Sequence, residues 1–360
     1  MENKKKVLIV SGGIDDLYLF ESSLFYASYC EDFGKYIIQH AALFPDGRIN
    51  FPKTLEKNDL EEAKKYDIFE GGCEIKKMNI DVIYYIPNSW KALTTYRALF
   101  ELLDIPIVGP SAESQNLAFN KINTRARLSV DGVKCALGCV IKYEDKDNLE
   151  NVMMKINEQK FTFPVVVKAP CEDDSMGVYV VREKENLIKA VNDAFTYQNK
   201  NEILIEKFIP GREIRTVVIQ DENLDLVFLP VFEYDVDRND IRSNYYKQID
   251  FKATKNQECK RIGRMCLDPE KEGDLLKRLE KVSFTSFKAL NCDDYAVFDF
   301  RYDTEEDEFY CLEAGLFSHY CYKCNVALLA LEKGISLEKL FDIAFNNATK
   351  RFNSKKALKN

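Results

Sequence analysis

Apolar strand-like runs alternate with helix-like stretches over the first 110 residues, and this alternation most restricts what the chain can become. "KKVLIVSGG" is a short strand of the buried type that ends in Gly12-Gly13, and "LYLFESSLFYASYC" behind it is helical in character. "KYIIQHAALF" with the turn Pro45-Asp46-Gly47, "MNIDVIYYIPN", a helix-like segment and the edge-like "IPIVG" continue the order. Such alternation implies a mainly parallel sheet covered on both faces. At 360 residues the chain exceeds the usual size of one domain, so two or three are expected. With 46% hydrophobic and 12% aromatic residues it can bury real cores, which excludes a disordered chain.

After the helix "GPSAESQNLAFNKINTRARLSVDGV" the style changes. "FPVVVKAPCEDDSMGVYVVRE" is two β-rich runs joined by a polar loop containing Gly177, an antiparallel hairpin signal. "LIKAVNDAF" is helical, and "NEILIEKFIPGREIRTVVIQ" gives two more strands. "LDLVFLPVFEY", a lysine-bearing variable stretch to about residue 270, the helix "EGDLLKRLEKVSFTSFKAL", a hairpin and a closing helical region complete the chain.

The bulk numbers remove several function classes. A net charge of −8 and a pI near 5.2 argue against a nucleic-acid partner. The lysine lead "MENKKK" precedes only four apolar residues, too few for a signal peptide or a membrane span, so no membrane association is expected. Eleven cysteines are scattered, with Cys135, Cys139, Cys292 and Cys311 inside apolar runs; they read as reduced thiols of a cytoplasmic protein.

The hairpin "VFDFRYDTEEDEFYCLEAG" carries a problem. With its turn centred on Glu306, Asp299 lies directly opposite Glu313. At about 5 Å and an effective dielectric near 20, such a pair repels by about 3 kcal/mol. Arg301 shares their face, so an internal ion-pair network is one explanation. The stronger one is a divalent cation between the carboxylates, since Mg²⁺ takes one or two carboxylates together with substrate phosphates. Lys168, closing the apolar run "FPVVVK", and Lys121, early in a helix, each read alone as snorkelling surface lysines. Glu206 after "EILI" and Glu213 after Pro210-Gly211-Arg212 are acids at strand ends, which are ordinarily solvated. A nucleotide site uses such acids too, to accept from an exocyclic amine or a ribose hydroxyl.

Taken in order, these pieces resemble the ATP-grasp superfamily, and most closely its D-alanine–D-alanine ligase family, from "LLDIPIVG" to "GISLEKLFDIAF". The resemblance implies an N-terminal Rossmann-like α/β domain at 1–115 and a central lid domain at 116–205. It further implies a C-terminal antiparallel-sheet domain at 206–352, followed by a polar tail at 353–360. It puts Lys121 and Lys168 on the phosphates of ATP, with Ser175, Met176 and Gly177 in the covering loop. Glu206, Lys207 and Phe208 would surround the base, Glu213 the ribose, and Asp299 and Glu313 would bind Mg²⁺ (or Mn²⁺). The implied activity is ATP-dependent amide or peptide bond formation through an acyl phosphate, on amino-acid-like small molecules, with Lys168 and Ser175 among the catalytic groups. Relatives are often dimers, so a homodimer is expected by analogy alone.

The departures cluster on the substrate side. The family's third metal ligand, an asparagine, corresponds to Gly315, and its oxyanion arginine to Val297; Arg301 is the nearest replacement. The lid reads Asp173-Asp174-Ser175 where the family has small residues, and "IPNSWKALTTYR" replaces its His-Gly and Gly-Glu-Asp-Gly segment. Asp15 and Asp16 lie near the expected substrate-side acid, and Ser318 in "LFSHYCYK" matches the carboxylate-binding serine. These changes argue against D-Ala–D-Ala synthesis. The acidic lid, Asp174 included, suggests a substrate with a positively charged amine. Four rivals have weaker support. A nucleotide-binding pseudoenzyme draws on Gly315 and Val297. A zinc site from His319, Cys321 and Cys324, perhaps joined by Cys311, lacks a second ligand pair. A dinucleotide loop at Gly12-Gly13 lacks the full glycine spacing, and with only His40 besides His319, a Ser-His-Asp hydrolase is poorly supported.

Overall fold

The computed structural model describes residues 4–30, 34–197, 202–243, 264–322 and 324–358. Most of the lysine-bearing variable stretch, residues 244–263, lies outside them.

Three sheets follow one another along the chain. The first is built from β1 (Lys5–Gly12), β2 (Tyr36–Leu43), β3 (Ile49–Asn50), β4 (Lys65–Tyr66), β5 (Val82–Tyr85) and β6 (Ile107–Val108), in the order β4-β3-β2-β1-β5-β6. The long strands pair in parallel, and only the short β3 and β4 are antiparallel. β6 is an edge strand, as its short "IPIVG" run suggests. The second sheet comprises β7 (Gly138–Lys142), β8 (Val165–Lys168), β9 (Val178–Val181) and β10 (Glu202–Lys207), ordered β7-β10-β8-β9 and antiparallel throughout. The third holds β11 (Arg212–Gln220), β12 (Leu226–Phe228), β13 (Phe232–Tyr234), β14 (Arg264–Cys266), β15 (Tyr295–Asp303) and β16 (Glu308–Gly315). Its order is β14-β13-β11-β15-β16, with β12 also on β11. The parallel sheet followed by two antiparallel ones is the ATP-grasp arrangement expected from the sequence.

Burial explains the grouping. The second sheet closes a core of its own, in which Ile141, Val165, Val167 and Ile203 meet Val152 and Leu187 from its helices. The first and third sheets instead share one. Val7, Ile9, Val82 and Tyr84 of the first sheet join Val217, Ile219 and Tyr295 of the third around the C-terminal helix Leu337–Ala357. Phe341 and Phe345 of that helix meet the Tyr84 ring edge-on, with centroids 5.5 and 6.3 Å away. The other face of the third sheet buries Ile214, Phe298 and Phe300 under the helix Gly273–Ala289.

The polar tail expected from residue 353 is exposed through residue 358, and the closing helix runs through it to Ala357. Two residues before that tail, Arg351 forms a bidentate pair with Asp294 (Nη1–Oδ1 2.6 Å, Nη2–Oδ2 2.5 Å). Asp294 also accepts from the Gly109 N–H at 2.7 Å, which ties helix, third sheet and β6 together.

Candidate functional site

The acid pair is where the hairpin pattern put it, by a route the pattern did not show. β15 and β16 pair regularly from Asp303–Glu308 back to Phe300–Cys311, then the register shifts by one residue and Asp299 pairs with Glu313. Without this bulge, Glu313 would fall opposite Phe298 and point into the apolar core. The extra residue re-aims the carboxylate. Because paired and alternate residues share a face, Glu213 and Arg215 of β11 lie beside Arg301 and Asp299 of β15, giving one polar face on an otherwise buried sheet.

Two arginines neutralise that face. Arg215 clamps Asp299 with two bonds, Nε–Oδ1 at 2.6 Å and Nη2–Oδ2 at 2.5 Å. Burial works against its charge, but Asp299, Tyr234 and Glu313 outweigh this and hold its pKa above the ordinary arginine value. Arg301, 2% exposed, turns the other way: Nη1 meets Glu213 Oε2 at 3.2 Å, Nε donates to the Ile209 carbonyl at 3.0 Å, and Nη2 donates to the Asp240 carbonyl. The guanidinium at the acid pair is therefore that of Arg215, not Arg301. Nothing in the sequence pattern singled out Arg215, because one arginine in an alternating strand reads as a solvent-facing residue.

Lys121 opens the helix Lys121–Val130 behind the cap Asn120, whose Oδ1 accepts from the backbone of Ile122 and Asn123. A cation in the first turn of a helix opposes the helix dipole, by about 0.3–1 kcal/mol. This one is also buried, 8% exposed, and its Nζ lies 3.9 Å from Glu313 and donates to the Glu172 carbonyl at 2.5 Å. Glu172, Glu313, Gln115 and Phe317 line a small pocket there. Burial pushes the Glu172 carboxyl up to about 7, against the pull of Lys121 and with help from Asp16 and Asp173.

On the second sheet, Lys168 and Glu206 are both buried and meet at 2.5 Å. Arg125, one turn beyond Lys121 on the same helix, takes the other Glu206 oxygen at 3.1 Å. Gly138 makes this possible: a Cβ there would lie 2.3 Å from Arg125 Nη1 and 2.7 Å from the Ile205 carbonyl. Lys207 pairs with Glu306 at 3.3 Å, and Phe208 is buried beneath the Arg301 guanidinium, 5.6 Å from its ring centroid. Between β8 and β9, Asp174, Ser175 and Gly177 all have positive φ, and Ser175 Oγ donates to the Arg242 carbonyl at 2.9 Å. Met176 N–H returns to the Asp173 carbonyl at 3.0 Å. This tight loop is fastened to the irregular segment after β13 by Ser175 and to the Lys121 helix through Lys121 N–H and the Pro170 carbonyl. The expected nucleotide residues thus fall into separate local pairs, Lys121 with Glu313, Lys168 with Glu206, Lys207 with Glu306 and Glu213 with Arg301.

The substrate-side candidates are more dispersed. Asp15 pairs with Lys91, and Asp16 caps the helix Leu17–Ala27 by accepting from Leu19 N–H at 2.8 Å. Asp16 nevertheless acts on Tyr18 together with Asp173 and Asp174, so the acidic lid and the first helix face one region. Ser318 is buried, its N–H on the Tyr295 hydroxyl at 3.2 Å. Val297 pairs with Gly315 across the hairpin, so neither a guanidinium nor an amide stands at those two positions. Among the described residues no group of three His, Cys, Asp or Glu side chains is placed to hold a metal, so the zinc set does not assemble. His319 is instead buried with its ring stacked on Tyr26 at 4.9 Å, and Cys321 and Cys324 lie 3.5 Å apart as thiols. The carboxylate pair offers hard oxygen donors of the kind that Mg²⁺ shares with phosphates.

This architecture and its lysine, acid-pair and loop elements define an ATP-grasp protein. The family model for the D-Ala–D-Ala ligase C-terminus matches residues 131–344, and the chain belongs to the D-alanine–D-alanine ligase family. The D-alanine–D-alanine ligase of Carboxydothermus hydrogenoformans is 26% identical over 269 residues, 74% of this chain and 81% of that one. In fold, the chain is similar to the D-alanine–D-alanine ligase from Coxiella burnetii (TM-score 0.78, 18% identity, 99% and 98% of the two chains). It is also similar to a D-Ala:D-Ser ligase from Enterococcus faecalis (TM-score 0.76, 20% identity, 96% and 100%). No helix among the described residues is long and apolar enough to cross a membrane.

Proposed function

We propose that the chain is an ATP-dependent carboxylate–amine ligase that forms an amide or peptide bond between amino-acid-like substrates other than two D-alanines. One observation carries this reading: buried Lys168 pairs with buried Glu206 on the second sheet, buried Lys121 pairs with half-buried Glu313, Asp299 lies opposite Glu313, and Glu213 pairs with Arg301 on the third sheet. In the proposed reaction the γ-phosphoryl group passes to a substrate carboxylate. The amine then attacks the acyl carbon, phosphate leaves, and the amide remains. Lys121 and Lys168 hold the phosphates and stabilise the transferring group. Glu206 to Phe208 frame the base and Glu213 the ribose. Asp299 and Glu313 would hold Mg²⁺, which when bound neutralises phosphate charge. The loop around Ser175 covers the site and keeps water from the acyl phosphate.

The common reach of Asp16, Asp173 and Asp174 supports an acceptor with a cationic amine. An ADP-release screen over an amino-acid panel with ATP and Mg²⁺ tests both levels. Turnover stimulated by basic or diamino substrates is the expected result, and strict preference for dianionic acceptors would defeat the substrate reading. The apolar Val297–Gly315 pair favours a second reading, a nucleotide-binding pseudoenzyme. ATP binding with no substrate-stimulated ADP release would establish it.

A further inference from the structure

We propose that Arg215 is a built-in cation of the metal site, and that it limits the Asp299–Glu313 pair to one divalent ion per bound nucleotide. This rests on the ATP-site reading above and concerns how that site is charged. Arg215 reaches both oxygens of Asp299 from the neighbouring strand, at 2.6 and 2.5 Å, and its side chain is only 20% exposed. The pairing is set by backbone register, Arg215 opposite Asp299 on β11 and β15, so the guanidinium is held by the sheet and not by a flexible loop.

A second dication on the Asp299 side would lie beside this guanidinium, whose fixed charge repels it. Glu313 lies within the field of Arg215 but is not clamped by it. Among the described residues its ion-pair partner is Lys121 Nζ at 3.9 Å, on the side where the phosphates are proposed to lie. The flanking positions add no donor: Gly315 and Val297 pair with each other, and a Cβ on Gly315 would meet only Val297. One ion shared by the acid pair and the phosphates is the arrangement that this face accommodates. Asp299 then orients Arg215 toward the same charge, making the arginine a positioning and neutralising residue. A protein fork in place of a second metal gives a fixed charge that neither exchanges with solvent nor depends on metal concentration.

The test counts Mn²⁺ by electron paramagnetic resonance while the full-length protein is titrated in the presence of saturating AMP-PNP. Binding of the analogue itself is measured in parallel by calorimetry. The expected result is one Mn²⁺ per bound nucleotide in the wild type and two in Arg215→Met, with Arg215→Lys remaining at one. Two Mn²⁺ ions in the wild type would overturn the proposal whether or not any variant folds, as would a folded Arg215→Met that still binds one. Absence of AMP-PNP binding in the wild type would overturn the ATP-site reading, and this proposal with it.

Discussion

Replacing Arg351 with Met should destabilise the protein strongly, although the residue lies in a stretch that composition alone would call a solvated tail. The Asp294 carboxylate it clamps is 1% exposed, and without the guanidinium it keeps only the Gly109 N–H at 2.7 Å and its remaining local contacts. Removing one partner of a buried ion pair costs about 3–5 kcal/mol, because the other charge stays in the interior. With an unfolding entropy of about 2.1 cal/mol/K per residue, that corresponds to a fall in melting temperature of about 4–7 °C if the chain unfolds cooperatively. Urea unfolding followed by circular dichroism measures it. The decisive comparison is a double-mutant cycle with Asp294→Asn. The amide still accepts from Gly109 but carries no charge, so the double variant should recover at least about 1.5 kcal/mol of the loss in Arg351→Met. A loss below about 1 kcal/mol in Arg351→Met, or a second substitution that simply adds its own cost, would refute the argument.

Three further outcomes follow from geometry. Lys168→Met leaves Glu206 with Arg125, so the fold should lose only about 1 kcal/mol, while nucleotide affinity by calorimetry should drop about 10- to 100-fold. Gly315 lies outside the left-handed region and a Cβ there comes no nearer than 3.8 Å to Val297, so Gly315→Asn should fold normally. As an added oxygen donor beside Glu313, it should tighten Mn²⁺ binding by at least about tenfold. Burial pushes the His319 imidazole down to about 4, against the Ile86 carbonyl bond that raises it. With the folded pKa depressed, the unfolded chain takes up a proton that the native state refuses. This contribution to stability is therefore intact above about pH 6.5 and is lost between 6.5 and 4, by about 3 kcal/mol. His319→Asn should flatten that part of the stability–pH curve relative to wild type.

Much of the architecture was legible because it is written in local patterns. The strand–helix alternation of the first 110 residues and the "FPVVVK" hairpin depend on residues near one another in sequence, whereas the single helix read in "GPSAESQNLAFNKINTRARLSVDGV" is two, Ala112–Phe119 and Lys121–Val130, broken at the extended Asn120 that caps the second. The opposition of Asp299 and Glu313 was legible for the same reason, although the bulge that produces it was not: no residue type at 311–313 demands one. What escaped was pairing at long range. Arg215 meets Asp299 across 84 positions, and Arg125 meets Glu206 across 81. Neither arginine differs locally from the solvated arginines elsewhere in the chain. Arg301 was misplaced because position on a face does not say which neighbour along that face a long side chain selects. The last turns of the closing helix were not legible because residues 353–357 are polar and exposed, with no apolar periodicity to mark them.

The join between β10 and β11 has a mechanical consequence. Residues 206–208 run straight into the turn at Pro210-Gly211, where φ is +110° and any Cβ would strike the Tyr302 carbonyl at 2.0 Å. On one side of that turn lies a sheet with a private core; on the other, two sheets fused through a common one. If the smaller body swings, its axis passes near this turn, so the segment proposed to frame the base travels least and the Ser175 loop travels farthest. A nucleotide entering such a hinge would seat its base first and have its phosphates enclosed last.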